Sequence, residues 1–227
     1  MGSSVKVIRA ENISVPHGFL DAVQSDAGAH DLAVGPAKTV FLEQVHSAEA
    51  ITVTAPFAPG QRPQVDAMAC AEPGLALAIV TADCAPILLA DEDAGVIGAA
   101  HAGWRGALDG VAEAVIGRME ELGARRSRID AAIGPCIAQE SYEVGADMRA
   151  RFASADHHFF EATGPGKWHF DLEGFVASRL AAAGIGSVVA LETDTYANSR
   201  RFHSFRRSTH RGESGTGRQI SLIALPG

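Results

Sequence analysis

Cysteine is scarce in this sequence, with only three in 227 residues: Cys70, Cys84 and Cys136. A small and odd number argues against a disulfide framework and fits a reducing compartment. No uninterrupted apolar run approaches the length of about 18 residues that a membrane span needs, so we expect no membrane association. The opening segment, MGSSVKVIRAENISV, lacks a long apolar stretch. We therefore expect no signal peptide and a cytoplasmic location.

Basic residues are also few, since 19 Lys and Arg stand against 27 Asp and Glu and give a net charge of -8. Nucleic-acid-binding proteins usually show the opposite balance, so no nucleic-acid partner is expected. Hydrophobic residues make up 47% of the chain and charged residues 20%, as in ordinary globular proteins. Without an internal repeat or a linker, we expect one domain over residues 1–227, as a monomer or homodimer.

Short apolar runs indicate several buried strands. Three of them follow closely in the sequence, LALAIV, PILLA and GVIGAA, and nearly every residue in them is apolar. Such runs are typical of strands that are covered on both faces. Strands are predicted at residues 5–9, 39–45, 75–80, 86–90, 95–100, 129–133, 187–191 and 219–225, with a hairpin turn at 91–94.

Apolar residues at spacings of three and four predict a helix over residues 107–122, followed by Gly123. A second helix is predicted after Asp171, a suitable N-cap, and before Gly184. The segment 193–218 is polar and basic and is predicted to be rich in loops. Together with the strands, these helices predict a mixed α+β domain.

Three residues with metal-binding side chains follow predicted strands: His46, Cys84 and His101. Strand ends that lie far apart in sequence can meet at one edge of a sheet. Imidazole and thiolate are common zinc ligands, and three protein ligands leave a fourth position for water or substrate. Two other interpretations remain open. Cys84 could be a small buried residue, or it could be a nucleophile with His101 as its base.

Arginines near these strand ends are candidates for anion recognition. Arg105 lies where the predicted helix begins, Arg206 and Arg207 are adjacent, and Arg218 follows in TGR. Alternatively, paired arginines are simply a solvated loop surface. Two carboxylates, Asp66 and Asp83, are candidates for supporting the metal ligands or for acid–base chemistry, and capping of turns is the alternative.

Several segments closely resemble the YfiH family. They are QVH, VDAM, TADCAPILL, AAHAGWRG, IGPCI with YEVG, WHFDL, SFRR and TGR, and they occur in the family's order from about His17 to Leu225. The family consists of bacterial purine nucleoside phosphorylases with a laccase-like domain, long described as multicopper polyphenol oxidases. The resemblance implies an α+β fold, a four-layer α/β/β/α sandwich with mixed sheets. The catalytic domain of cytotoxic necrotizing factor toxins has the same fold.

The resemblance also implies a site and an activity. Zinc, with copper as the alternative, would be bound by the histidine of QVH, the cysteine of TADC and the histidine of HAGWRG, which are His46, Cys84 and His101. The implied reactions are phosphorolysis of adenosine, inosine and S-methyl-5'-thioadenosine, and deamination of adenosine. Nucleoside and phosphate are then the partners. We expect the catalytic residues to be Cys84, His101 and Asp83, and the substrate-binding residues to be Gln44, Arg105, Arg206 and Arg207.

Three positions depart from the family pattern. Asp21 lies near the place of an arginine in HGFxTR, Asp194 replaces a cysteine before Thr195, and Phe205 replaces the tyrosine of SYRR. Three other functions remain open: a metal-free Cys–His amide hydrolase that edits peptidoglycan precursors, a copper-dependent polyphenol oxidase, and a metal-binding protein without activity. Multicopper laccases use paired HxH ligands, whereas the nine histidines here include no HxH.

Overall fold

The computed structural model describes residues 6–227. In this range the strands are β1 (His17–Phe19), β2 (Lys38–Phe41), β3 (Ala50–Thr52), β4 (Ala67–Cys70), β5 (Leu75–Thr81), β6 (Ala85–Asp91), β7 (Val96–Ala102), β8 (Asp130–Ile133), β9 (Glu143–Gly145), β10 (Phe160–Gly164), β11 (Lys167–Phe170), β12 (Ser187–Ala190) and β13 (Gln219–Ala224). The helices are α1 (Ala22–Asp26), α2 (Asp31–Val34), α3 (Trp104–Asp109), α4 (Val111–Glu121), α5 (Ala146–Arg149), α6 (Leu172–Ala182) and α7 (Phe205–His210). Short 3-10 turns lie at Arg126–Arg128, Gln139–Ser141 and Ser154–Phe159.

The described strands form three sheets. A six-stranded sheet has the order β12-β8-β6-β7-β4-β3, and a four-stranded sheet has the order β1-β13-β5-β2. Both sheets are mixed, because each contains parallel and antiparallel pairs. A small antiparallel sheet, β10-β11-β9, completes the set. The predicted mixed α+β class is confirmed.

Alternating side chains explain why the central strands are apolar throughout. On β6, Ile87 and Leu89 belong to the core cluster that includes residues of α4 and α6, such as Val111. Leu88 points the other way, into a second cluster with Leu77 of β5 and Ile223 of β13. The strand therefore packs on helices with one face and on the four-stranded sheet with the other, which confirms its prediction as a doubly covered strand. A third cluster covers the outer side of the four-stranded sheet with residues of α2.

The sequence predictions differ from the structure inside the two large sheets as well as outside them. No strand is predicted where β1, β3 and β4 lie, and the strand predicted over 39–45 ends at Phe41. The helix predicted over 107–122 is two helices, α3 and α4, since Gly110 has a φ of 101° and interrupts them. The loop-rich segment predicted over 193–218 contains α7, which Ser204 caps by accepting a hydrogen bond from the Arg207 N–H at 3.1 Å. In the strand predicted at 5–9, Val5 lies outside the described residues, and Ile8 forms only an isolated bridge to Phe19.

The path of the chain between the two large sheets determines where the cysteine of TADC lies. β5 belongs to the four-stranded sheet and ends at Thr81, whereas β6 belongs to the six-stranded sheet and begins at Ala85. Residues 82–84 therefore form the crossing from one sheet to the other. Asp83 in this crossing has a φ of 87°, a backbone region that few non-glycine residues adopt. The crossing places Cys84 at the edge shared by both sheets.

A buried carboxylate at the far end of β6 gives a prediction about acid stability. Asp91 accepts hydrogen bonds from the N–H of Ala94 (3.1 Å), the N–H of Arg125 (2.7 Å) and the guanidinium of Arg128 (2.9 Å). Burial raises the pKa of Asp91, but these hydrogen bonds outweigh burial and hold the pKa below its usual value. Because the folded pKa is depressed, the stabilisation exists above the ordinary pKa and is lost as the pH falls through the folded one.

Replacing this carboxylate, Asp91→Asn, is expected to lower the free energy of unfolding by about 1–3 kcal/mol near neutral pH, since donors lose a charged acceptor. The difference from the wild type should shrink as urea denaturation is repeated at decreasing pH. The exposed neighbour Asp93 lies 3.7 Å from Arg128, and Asp93→Asn is the matched control with little expected effect. Equal stability of Asp91→Asn and wild type near neutral pH contradicts the prediction.

Candidate metal centre and its flanking cavities

The structure brings together the three side chains that the sequence singled out as metal ligands. One donor atom from each of His46, Cys84 and His101 lies within 4.8 Å of the others. The Cys84 Sγ and His46 Nε2 atoms are 3.9 Å apart, and the two imidazole rings meet edge to face with centroids 4.8 Å apart. His101 is buried, Cys84 is partly exposed and His46 is exposed. The cluster is therefore reachable from solvent on one side.

Local backbone geometry directs each of these side chains. His101 is the penultimate residue of β7 and lies opposite Pro86 of β6. His46 lies in the loop after β2 and has a φ of 63°, in the left-handed region that few non-glycine residues adopt. Strained backbone of this kind persists where the surrounding contacts hold it, and it is common at functional sites.

Asp66 supplies the contacts that hold this strained loop. Its buried carboxylate accepts hydrogen bonds from the N–H groups of Val45 (3.1 Å), His46 (3.0 Å) and Ser47 (2.6 Å). It also bonds to Nδ1 of His101 at 2.7 Å. Burial raises the pKa of Asp66, but the bonds to His101 and Ser47 outweigh it and lower the pKa to about 2. The carboxylate therefore stays ionised and orients the His101 ring through Nδ1.

The donor set fits a zinc-type ion. With Nδ1 of His101 engaged by Asp66, Nε2 is the nitrogen left to bind a metal, the usual support for a histidine ligand. Burial raises the pKa of Cys84, but hydrogen bonds to His101 and His46 lower it to about 7, so the thiol ionises to the thiolate near neutral pH. Burial lowers the pKa of His101, yet Asp66 and Cys84 raise it to about 9, so a metal that binds at Nε2 must displace a proton from the ring. Two imidazoles and a thiolate at mutual contact match a three-ligand site with one open position.

Two cavities flank the cluster. The first, of about 270 Å³, is lined by Gln44, His46, Val80, Thr81, Ala82, Cys84, His101, Phe205, Thr216 and Arg218. The second, of about 210 Å³, is lined by His46, Ala82, Asp83, Cys84, Gly103, Trp104, Arg105, Ile137, Tyr142, Leu172, Phe205 and Arg206. His46, Ala82, Cys84 and Phe205 line both. The candidate metal ligands therefore lie between two compartments.

The predicted substrate-binding residues fall into three situations. Arg105 and Arg206 line the second cavity. Gln44 lines the first, and its amide is paired with the backbone of Val80 in both directions (2.8 and 2.9 Å). Arg207 lines neither cavity, because its guanidinium donates to the carbonyls of residues 195, 196 and 202. The geometry of Arg207 favours a structural role.

The two arginines of the second cavity differ in how they are held. Arg206 donates to the carbonyl of Glu143 at 2.8 Å and lies over the ring of Tyr142. Arg105 is exposed, stacks on Trp104 with its guanidinium carbon 4.8 Å from the ring centroid, and forms no hydrogen bond or ion pair with another described residue. Both guanidinium groups thus retain donors for an anion.

Asp83, predicted as a catalytic residue, is fully engaged within the protein. Its carboxylate accepts hydrogen bonds from the Thr195 hydroxyl (2.7 Å), the Ser204 hydroxyl (3.0 Å) and the Arg206 N–H (2.7 Å). These contacts join the crossing before Cys84 to the start of α7. The geometry therefore favours a role in holding Cys84 and Arg206 in place.

Several residues of the two cavities carried no clear signal in the sequence. Phe205 is 64% exposed and separates the cavities, although its segment reads as loop. Tyr142 and Trp104 line the second cavity, and burial raises the pKa of the Tyr142 phenol, which stays protonated. An aromatic residue beside a polar segment is too common a pattern to point to a site. Only the family motifs YEVG, HAGWRG and SFRR contain these positions.

Two of the three departures from the family pattern, Asp21 and Asp194, have structural roles here. Asp21 caps α1, since its carboxylate accepts the Gln24 N–H at 2.9 Å. Asp194 accepts hydrogen bonds from the N–H of Ala138 (3.2 Å) and the hydroxyl of Ser141 (2.6 Å). Cys136 is buried, and burial raises its thiol pKa well above the usual range, as is typical of a structural thiol.

Fold and site together define a class of protein: a mixed-sheet α+β domain with a His–Cys–His cluster between two cavities. Comparison with known proteins gives the family. Residues 22–226 match the family described as multi-copper polyphenol oxidoreductase laccase. The chain is 38% identical to a Deinococcus radiodurans protein named purine nucleoside phosphorylase, over 97% of this chain and 93% of that protein. A Streptomyces coelicolor protein of the same name is 40% identical, over 82% and 77%.

Comparison with solved structures supports the same family. YlmD from Geobacillus stearothermophilus is similar with a TM-score of 0.81 and 26% identity, over 100% of this chain and 98% of that chain. Neisseria meningitidis protein NMB0706 gives a TM-score of 0.75 and 32% identity, over 90% and 78%. The chain belongs to this laccase-like family, the YfiH family. No helix within residues 6–227 has the length and apolar character required to cross a membrane.

Proposed function

We propose that this chain is a zinc-dependent purine nucleoside phosphorylase. The observation that carries the proposal is the His46–Cys84–His101 cluster between two cavities, one of which holds two arginines with available donors. Phosphorolysis requires a site for phosphate on one side of the ribosyl centre and a site for the purine on the other. The names of the relatives, purine nucleoside phosphorylase, support the same activity.

The phosphate belongs in the second cavity. Arg105 and Arg206 offer planar donors of the kind that pair with phosphate oxygens, and the protonated Tyr142 phenol lies beside them. The purine belongs in the first cavity, where Phe205 offers an exposed ring for stacking and Gln44 and Thr81 add polar groups. In this arrangement the anomeric carbon lies near Cys84.

The metal would be held by His46, Cys84 and His101. Bound zinc supplies a Lewis acid or an activated water at the open position. The protein's own groups do the remaining work. Asp66 keeps His101 oriented, and the arginines hold phosphate against the ribose. We propose adenosine, inosine and S-methyl-5'-thioadenosine as the substrates of phosphorolysis. Because an activated water can also attack a purine ring, we propose deamination of adenosine as a second reaction.

Two architectural proposals accompany this function. We propose the four-layer α/β/β/α arrangement, supported by helices packed on the outer faces of the two facing sheets. We also propose that residues 1–227 form one domain and that the protein is a cytoplasmic monomer or homodimer. We propose no nucleic-acid partner, which the net charge of -8 supports.

The product test is direct. The purified protein is incubated with adenosine in the presence and absence of phosphate, and products are separated by chromatography. Adenine and ribose 1-phosphate that form only with phosphate support phosphorolysis, and inosine supports deamination. If no nucleoside is consumed under either condition while the protein retains its metal, the proposed function is wrong.

The Arg105→Ala variant tests the phosphate site. We expect the KM for phosphate to rise about 10–100-fold, the effect of losing a charged hydrogen bond, while the KM for adenosine changes less. Arg105 has no hydrogen bond within the described residues, so thermal stability should stay the same. Arg211, exposed after α7 and 3.8 Å from Glu213, provides the matched control Arg211→Ala. An unchanged KM for phosphate in Arg105→Ala places the phosphate elsewhere.

One geometric observation favours a second function. Asp66, His101 and Cys84 are arranged as orienting carboxylate, base and nucleophile, the requirement for a metal-free Cys–His amide hydrolase. In this arrangement His46 lies outside the triad and acts only by lowering the pKa of the Cys84 thiol. For copper-dependent polyphenol oxidation, the described residues contain a single cluster of this kind, whereas multicopper chemistry needs several.

A further inference from the structure

A third cavity lies beside the first. This cavity, which we call the side groove, has a volume of about 770 Å³ and is bounded by β2, the 56–62 loop, Val80 and Arg218. Gln44, Val80 and Arg218 line both the side groove and the first cavity. These shared residues place the side groove next to the first cavity, and Cys84 does not line the groove.

The side groove is basic, although the chain as a whole is acidic. Its charged lining residues are Arg62, Arg218 and Glu43, which leaves one net positive charge in a chain of net charge -8. Neither arginine forms an ion pair with a carboxylate in residues 6–227. Arg62 lies over the ring of Phe41, with its guanidinium carbon 5.3 Å from the ring centroid. Stacking fixes the plane of this guanidinium while its N–H donors remain available.

We propose that the side groove binds an anionic group attached to the ribose of the nucleoside, so that the site takes nucleoside 5'-phosphates as well as nucleosides. This inference rests on the proposed function, because it places the purine in the first cavity. Arg218 lies at the junction of the two cavities, and Arg62 lies farther along the groove. A phosphate passing Arg218 meets donors with the planar geometry that phosphate oxygens prefer.

Calorimetric titration with adenosine and with adenosine 5'-monophosphate, both without inorganic phosphate, tests the proposal. We expect the wild-type protein to bind the monophosphate about 10–100-fold more tightly, the effect of one charge-assisted contact. The preference should disappear in Arg62→Ala. Arg62→Gln retains a long side chain over Phe41 and should lose the preference as well, so a folding defect of the alanine variant would not obscure the result. Arg200→Ala, an exposed arginine outside all three cavities, is the control and should retain the preference.

Other outcomes overturn the inference. Equal affinities of the two ligands in the wild type, or no binding of either, remove the basis for an anion site in the groove. A preference that survives both Arg62 variants and also Arg218→Ala assigns the 5'-phosphate to Arg105 and Arg206 or to the metal instead. A preference lost only in Arg218→Ala contradicts the contact with Arg62. The proposed phosphorylase activity is tested separately, by product formation. If the preference for the monophosphate depends on Arg62 but no phosphorolysis is detected, the anion site in the side groove is supported and the proposed activity is contradicted.

Discussion

Replacing Cys84 with alanine is expected to remove bound zinc and to lower kcat/KM for phosphorolysis by about 10³-fold or more, a loss of about 4 kcal/mol in transition-state stabilisation. The thiolate is the only charged donor among the three candidate ligands, and two imidazoles alone leave the site incomplete. The measurement combines elemental analysis of the purified variant with phosphate-dependent release of adenine. His46→Ala is the informative companion variant, because a metal site needs His46 as a ligand, whereas a Cys–His pair is affected only through the Cys84 pKa that His46 lowers.

The metal site and the metal-free Cys–His pair predict opposite results for the His46→Ala variant. A metal site predicts that His46→Ala loses zinc and activity as Cys84→Ala does. A Cys–His pair oriented by Asp66 predicts that amide hydrolysis survives in His46→Ala and disappears only in Cys84→Ala. Cys70→Ala is the matched control, since Cys70 is a buried thiol at the end of β4 away from His101. Normal zinc content in both cluster variants contradicts the metal site.

Replacing Asp66 with asparagine is expected to weaken zinc binding about 10–100-fold and to lower thermal stability. The Asp66 carboxylate accepts from His101 Nδ1 and the His46 N–H on one oxygen, and from the Val45 and Ser47 N–H groups on the other. An asparagine places its NH₂ group against donors in either orientation of the amide, because both acceptor positions face N–H groups. The strained loop around His46 and the orientation of His101 then lose their common support.

Competition with a chromogenic zinc chelator measures the affinity, and thermal denaturation with and without zinc measures the stability. Asp109→Asn is the matched control, since Asp109 is exposed at the end of α3. The control should bind zinc as the wild type does. If Asp66→Asn binds zinc with wild-type affinity, Asp66 does not orient a metal ligand.

The central apolar strands and the cluster could be predicted from the sequence for one physical reason. Strands covered on both faces are apolar throughout, so a polar residue marks the point where such a strand ends. Cys84 follows the run that forms β5, and His101 closes the run that forms β7. These strands belong to different sheets that face each other, and the structure brings both side chains to one edge, together with His46.

The cavities around the cluster could not be predicted in the same way, because they depend on tertiary contacts of polar segments. Arg206 and Arg207 are adjacent, but successive residues of a helix point about 100° apart. One arginine therefore faces the second cavity while the other binds backbone carbonyls. Nothing in SFRR distinguishes them. Likewise, Asp83 stands next to Cys84 in TADC, yet its partners Thr195 and Ser204 come from more than 100 residues away.

One measurement tests the relation between metal and reaction most directly. The protein is stripped of metal with a chelator, zinc is returned in steps, and phosphate-dependent adenine release is followed at each step. We predict negligible release without metal and a linear increase that ends at one zinc per chain, held by His46, Cys84 and His101. Full phosphate-dependent release from the metal-free protein, or no release at any zinc content, would contradict a zinc-dependent phosphorylase.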